Sequence, residues 1–217
     1  MHIADGFLEA PVIITTAVVS AGLVTAVAKK TPPKELASPM VGASAAFVLA
    51  AQMVNFPVAS SVSGHIIGGV LVAVLLGWRV SVLVLTSVIV IQSLVFQDGG
   101  VAALGANILN LGIVGPGLGY LLFRTVRGNA AHDWTLRSSV AAFLGGWTAS
   151  VVAALMAAVQ LWLSGQADLK TIVLLMFGVH ALIGVAEGMA TVLIARFLNH
   201  HHQKCSTYSQ VPGGEFS

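Results

Sequence analysis

Charged side chains are what this chain most lacks. Only 8% of its 217 residues are Asp, Glu, Lys or Arg, where a soluble domain carries roughly a quarter. So few charges cannot clothe a water-facing surface, which excludes a soluble globular protein and leaves lipid to cover much of the molecule. The net charge of +2 gives no basic field for nucleic acid. A single cysteine, Cys205, excludes an internal disulfide and any Cys-rich metal site. Enzyme motifs are missing as well. No Lys follows a Gly anywhere, so there is no phosphate loop for ATP hydrolysis, and neither an H-E-x-x-H zinc motif nor a serine nucleophile elbow occurs.

What is abundant is apolar, at 57% of residues. Crossing a bilayer takes about 20 mostly apolar residues as a helix. Stretches of that kind run over 9–28, 38–54, 64–78, 80–96, 104–123, 138–163 and 171–195. Span 64–78 is short. The fifth is interrupted by Gly112, Gly115, Pro116, Gly117 and Gly119, and irregular backbone at membrane depth survives only under protein or beside a cavity. Those two segments are expected inside the bundle. Ala26-Val27-Ala28 resembles a signal cleavage site, but the stretch before it has no basic residue and carries Asp5 and Glu9. A retained first span is expected.

Seven spans with the N-terminus outside place Lys29, Lys30, Lys34, Arg79, Arg124, Arg127, Arg137, Arg196 and Lys204 on the inner side. Only Lys170 then falls outside, so nine of ten basic residues obey the positive-inside rule. The expectation is an all-α integral membrane protein of about seven transmembrane helices, N-terminus outside and C-terminus cytoplasmic. It has one transmembrane domain over 1–198 and a polar tail over 199–217 that composition marks as disordered. Gly64, Gly68 and Gly69, Gly145 and Gly146, and Gly184 and Gly188 let helices approach closely.

Chemistry concentrates at the start, Met1-His2-Ile3-Ala4-Asp5-Gly6-Phe7-Leu8. A free α-amine followed by histidine offers three nitrogens in a row: the Met1 amine, the His2 amide and the His2 imidazole. They close a five-membered and a six-membered ring around one ion, a planar arrangement that suits Ni(II) or Cu(II) and leaves one corner open. The bulk of His2 protects the initiator Met from removal, although its formyl group must be lost. His65, in Ser63-Gly64-His65-Ile66-Ile67-Gly68-Gly69, lies at the outer start of the third span, on the side of Met1. A lone membrane histidine is more often a hydrogen-bonding core residue than a ligand, yet the flanking glycines and the shared side favour His65 as the fourth donor.

Other intramembrane polar residues are candidates for function by default. Gln97, Asn107, Asn110 and His180 are candidates to hydrogen-bond the liganding imidazoles, as metal sites require. Asn107 and Asn110 serve equally well to tie helices together. Glu187 lies two helical turns from His180 on one face, and reads as a structural hydrogen-bonding group or a point of coupling to a partner chain. His200, His201 and His202 fall on the inner side and read as a solvated tail.

The opening octapeptide, Ser63 to Gly69, Phe96-Gln97-Asp98-Gly99-Gly100, Leu104-Gly105-Ala106-Asn107 and Gly178-Val179-His180-Ala181-Leu182-Ile183-Gly184 together resemble the cobalt/nickel substrate-binding components of energy-coupling factor transporters. The likeness runs from residue 1 to about 198. It implies an N-terminal segment tucked into the bundle and a metal held by the Met1 amine, two nitrogens of His2 and a nitrogen of His65. Ni2+ or Co2+ is then the transported substrate, with no organic cofactor, in the cell membrane of a prokaryote. The implied partners are a transmembrane coupling protein, cytoplasmic ATPase subunits and a small accessory membrane protein. Two rivals stand beside this expectation. One is an intramembrane metalloenzyme with zinc among His65, His180 and Glu187; the other is a channel or secondary transporter that works alone.

Overall fold

The computed structural model describes residues 1–59, 62–128 and 134–208. Helix α1 runs over Ala10–Lys30, a short α2 over Pro33–Leu36 and α3 over Pro39–Met53. A hairpin follows, β1 over Phe56–Ala59 and β2 over Val62–Gly64, antiparallel with Phe56 opposite Gly64. Then come α4 over Gly69–Leu76 and α5 over Trp78–Ile91, the latter continued by a π-helical turn over Gln92–Phe96. Helix α6, Leu104–Asn107, passes through a π-helical stretch, Ile108–Val114, into α7, Gly115–Arg127. Two long helices close the chain, α8 over Leu136–Leu163 and α9 over Leu169–Tyr208.

Among the described residues, five of these paths are long and apolar enough to cross a membrane: Ala10–Lys30, Trp78–Phe96, Leu104–Arg127, Leu136–Leu163 and Leu169–His201. The expected count of seven is corrected in two places. Helix α3 has 15 residues, and the stretch expected as span 64–78 yields only the eight of α4. Eight residues rise about 12 Å, too little to cross. Two left-handed glycines, Gly68 at φ 75° and Gly77 at φ 87°, bound that helix, and its first five residues are buried. It is an internal helix.

The fifth span is not broken as expected. Pro116 has no N–H to give and crowds the carbonyl four residues back, and the chain absorbs this by widening to π-helix over Ile108–Val114 rather than by unwinding. Most of Leu104–Arg127 is buried, whereas α1 is buried only at Thr16 and Ser20 along its length. The bundle therefore has a dense interior of α4, the π-helical stretch and α8. Its rim of apolar side chains, such as Ile14, Val18, Leu174, Leu182 and Leu193, is exposed, as lipid-facing surfaces are. Helices α8 and α9 touch at Gly146 and Gly188, where a Cβ on Gly146 would lie 3.0 Å from the Gly188 Cα. Helix α9 continues to Tyr208, into the stretch expected to be disordered from 199; residues 209–217 lie outside the described residues.

One end of the bundle collects the hairpin, the turn after Phe96 and the chain start. Ile3 pairs with Val62 in an antiparallel bridge, so the first residues add a third strand to the hairpin.

Candidate metal centre

The first nine residues are held from four directions. The Ile3 N–H donates to Asn107 Oδ1 at 2.8 Å, and Asn107 Nδ2 returns a bond to the Ile3 carbonyl at 3.0 Å. That carbonyl also accepts from the Gly100 N–H at 2.9 Å, while the His2 carbonyl accepts from the Ser63 N–H at 3.4 Å. The Asp5 carboxylate accepts from the N–H groups of Val101, Ala102 and Ala103 at 3.0, 2.8 and 3.3 Å. The Glu9 N–H donates to Ser164 Oγ at 3.1 Å. Reciprocal bonds from a side-chain amide to one residue's N–H and C=O mimic a strand neighbour, so an irregular segment is fixed without regular secondary structure.

This anchorage buries Met1 to 1% exposure and His2 to 3%. The Met1 amine lies 3.4 Å from Ser63 Oγ. The His2 ring stacks on the His65 ring, centroids 4.7 Å apart and planes at 22°. His65 Nδ1 donates to the Ile66 carbonyl at 2.9 Å, which sets its tautomer and leaves Nε2 unprotonated. Both His2 ring nitrogens and His65 Nε2 are buried without a hydrogen-bond partner among the described residues. Asp98 Oδ1 stands 3.5 Å from His2 Nδ1, too far for a good hydrogen bond, and its other oxygen accepts from Asn55 Nδ2 at 3.0 Å. Unpaired buried nitrogens cost free energy, and the lone pair that each neutral imidazole keeps, one on His2 and one on His65 Nε2, stands beside the buried amine in a cluster suited to a cation.

Electrostatics favour the metal-binding forms. Burial pushes the Met1 amine well below the 8.0 ordinary for an α-amine, against the opposing charge of Asp98. Burial also pushes His2 below its ordinary value, with Asp98 again opposing. Neutral amine and neutral imidazole are the forms with a free lone pair. Gly99, at φ 87°, passes so close that a Cβ there would lie 3.1 Å from both Cβ and Cδ2 of His2. With its positive φ and this crowding, any side chain at Gly99 would be strained against His2.

The structure brings Met1, His2 and His65 together and sorts the remaining candidates. Asn107 holds Ile3 rather than an imidazole. Asn110 exchanges two 2.8 Å bonds with Gln160 and ties the π-helical stretch to α8. Gln97 turns outward, exposed and left-handed at φ 54°, and the neighbouring Asp98 faces His2 instead. His180 is buried with Nδ1 donating to the Met176 carbonyl at 2.8 Å and Nε2 unpartnered. Glu187 accepts from the N–H groups of Ile67 and Gly68 at 2.7 and 2.8 Å. His200 and His201 are exposed, and the side chain of His202 lies outside the described residues. Sequence reasoning missed Asp5 as a clamp and Gln52, whose Nε2 donates to the Ile67 carbonyl at 2.7 Å. A carboxylate four residues ahead of an apolar run signals the first; nothing local signals the second.

A sequence profile of the family described as the cobalt uptake substrate-specific transmembrane region fits residues 2–205. The chain belongs to this family. A metal transport protein of Haloquadratum walsbyi is 36% identical over 203 residues, 91% of this chain and 89% of the relative. A fused nickel transport protein, NikMN, of Archaeoglobus fulgidus is 34% identical over 200 residues, which is 91% of this chain but 65% of the fused one. A crystal structure of a truncated transition metal transporter superposes with a TM-score of 0.82 at 27% identity, over 93% of this chain and 99% of the other. This cobalt-uptake family member is thus a multi-pass membrane protein of metal transport.

Proposed function

We propose that this chain captures nickel or cobalt from outside the cell, as the substrate-binding component of an energy-coupling factor transporter. The ligands are the Met1 amine, the amide and imidazole nitrogens of His2, and His65 Nε2. One observation carries this assignment: the Met1 amine and the stacked His2 and His65 rings share a buried cluster in which three ring nitrogens have no partner among the described residues. Burying a 2+ ion among apolar groups is costly, and loss of the His2 amide proton offsets part of that cost. The N-terminal segment and the hairpin form the cap, with Asp5 and Asn107 as its fastenings. The positive-inside pattern supports the orientation, with the capped end outside.

ATP hydrolysis belongs to separate cytoplasmic subunits, with a transmembrane coupling protein between them and this chain. The fused nickel transport relative, of which this chain spans 65%, carries further sequence in the same polypeptide and supports an accessory membrane component. A metalloenzyme would need Glu187 and His180 to converge with His65 on one ion with an open water position. Glu187 instead turns its carboxyl group to two backbone amides.

The test is an extension of two residues ahead of Met1, since a single one would put His2 third in the chain and build a new four-nitrogen Ni(II) chelate. It converts the amine into an amide and forces a buried residue outward. High-affinity Ni(II) binding to the purified protein should disappear while the helical circular dichroism is kept. Retained high-affinity binding, with mass spectrometry showing the extension in place, would refute the ligand assignment. Reconstitution without partners should give binding without sustained uptake; sustained uptake would establish the stand-alone transporter instead.

A further inference from the structure

We infer that Glu187 is a positioning residue for His65, acting through the peptide group that joins Ile66 to Ile67. This rests on His65 being a ligand in the proposed site. The peptide has two polar ends, and both are used. Its oxygen, the Ile66 carbonyl, accepts from His65 Nδ1 at 2.9 Å. Its N–H, that of Ile67, donates to Glu187 Oε2 at 2.7 Å. Carboxyl group, peptide and imidazole thus form one chain of hydrogen bonds, in which donation at the N–H polarises the carbonyl and strengthens its hold on Nδ1. Holding the proton on Nδ1 keeps Nε2 basic and aimed at the cluster with His2, in the way that outer partners orient liganding histidines in metal sites.

The segment has no other regular support. Residues 65–68 belong to neither the hairpin nor α4. The next peptide is pinned as well, its Ile67 carbonyl accepting from Gln52 Nε2 at 2.7 Å. Glu187 is 1% exposed and sits on α9, some 120 residues away in sequence from the amides it holds. A simpler role would be to cap α4, and the 2.8 Å bond from the Gly68 N–H, at the cap position, does that. The Ile67 N–H lies before the cap, and capping gives no reason for it. Engaging both amides fixes the His65 side of the segment.

The experiment compares wild type, Glu187→Gln and Ser150→Ala. Ser150 is a fully buried α8 residue whose Oγ lies 3.4 Å from the His180 carbonyl, so it perturbs the α8–α9 contact without touching the link. In metal-free protein with 15N-labelled histidine, wild type and Ser150→Ala should show His65 as a single tautomer protonated at Nδ1. Glu187→Gln places an amide NH2 against a backbone N–H, and His65 should become a mixture of tautomers. Its Kd for Ni(II) alone should rise about 10–100-fold, the usual penalty for losing an outer partner of a ligand. A single Nδ1-protonated tautomer in folded Glu187→Gln would overturn the inference. Unchanged nickel affinity in His65→Ala would overturn the ligand assignment instead, and the tautomer comparison would still decide the link. If Glu187→Gln does not fold, the wild type decides through its Ile67 and Gly68 amide protons. Downfield, slowly exchanging signals support the link, and ordinary shifts with fast exchange overturn it.

Discussion

Replacing Asn107 by leucine measures how far metal capture depends on the docking of the first three residues. The substitution keeps the buried volume and removes two bonds, from the Ile3 N–H at 2.8 Å and to the Ile3 carbonyl at 3.0 Å. The carbonyl keeps a partner in the Gly100 N–H, so its loss is that of one ordinary bond, about 1 kcal/mol. The N–H is left buried and unsatisfied, at about 1–3 kcal/mol. Docking should weaken by about 2–4 kcal/mol in total, or roughly 30- to 700-fold at 1.4 kcal/mol per decade. If only the docked segment binds, the Ni(II) Kd should rise by the factor by which the docked population falls, reaching this full factor where the undocked state dominates. Competition with a chromogenic chelator gives the Kd, and hydrogen exchange at the Ile3 amide reports docking in the same samples. Exchange at Ile3 as fast as in an unstructured peptide, with an unchanged Kd, would refute the coupling of docking to binding.

Further tests address the roof, the protons and the packing. Gly99→Ala puts a side chain on a left-handed residue, at about 1–2 kcal/mol, and 3.1 Å from His2; it should weaken Ni(II) binding and expose the N-terminal segment to protease. Burial lowers the Met1 amine, so below about pH 8 the undocked segment binds a proton that the docked one does not. Docking therefore weakens as pH falls from 8. Release of the His2 amide proton acts in the same sense, and Ni(II) affinity measured by competition from pH 5 to 8 should rise about tenfold per unit for each proton released. An affinity flat across that range would remove the amide from the ligand set. Gln160→Leu strands the Asn110 amide at about 1–3 kcal/mol, and should lower the thermal midpoint without moving the Ni(II) Kd.

Features that depend on a residue's near neighbours were legible in the sequence. Lipid-facing runs such as 9–28 and 138–163 declare themselves because water would reject them wherever they lay. The Met1-His2 chelate is written in two adjacent residues. Span 64–78 misled because an apolar run has the same composition whether it crosses a bilayer or sits inside protein, and only the left-handed Gly68 and Gly77 show that α4 stops after eight residues. Gln97 and Asp98 could not be told apart by type. The left-handed turn at Gln97 decides that the acid faces His2 and the amide faces out. Partnerships across the chain, such as Asn110 with Gln160 or Glu187 with Ile67, follow from the packing of distant helices and leave no local mark.

The fastening of Glu9 to Ser164, together with that of Ile3 to Asn107, bears on how the molecule is made. The residues that leave the ribosome first find their resting place last, since Asn107 and Ser164 emerge only after half and three quarters of the chain. Until then the leading peptide has nowhere to settle. Nascent chains arrested before Gly100 should carry a leading end open to digestion, and the ion trap can close only on a chain about half made.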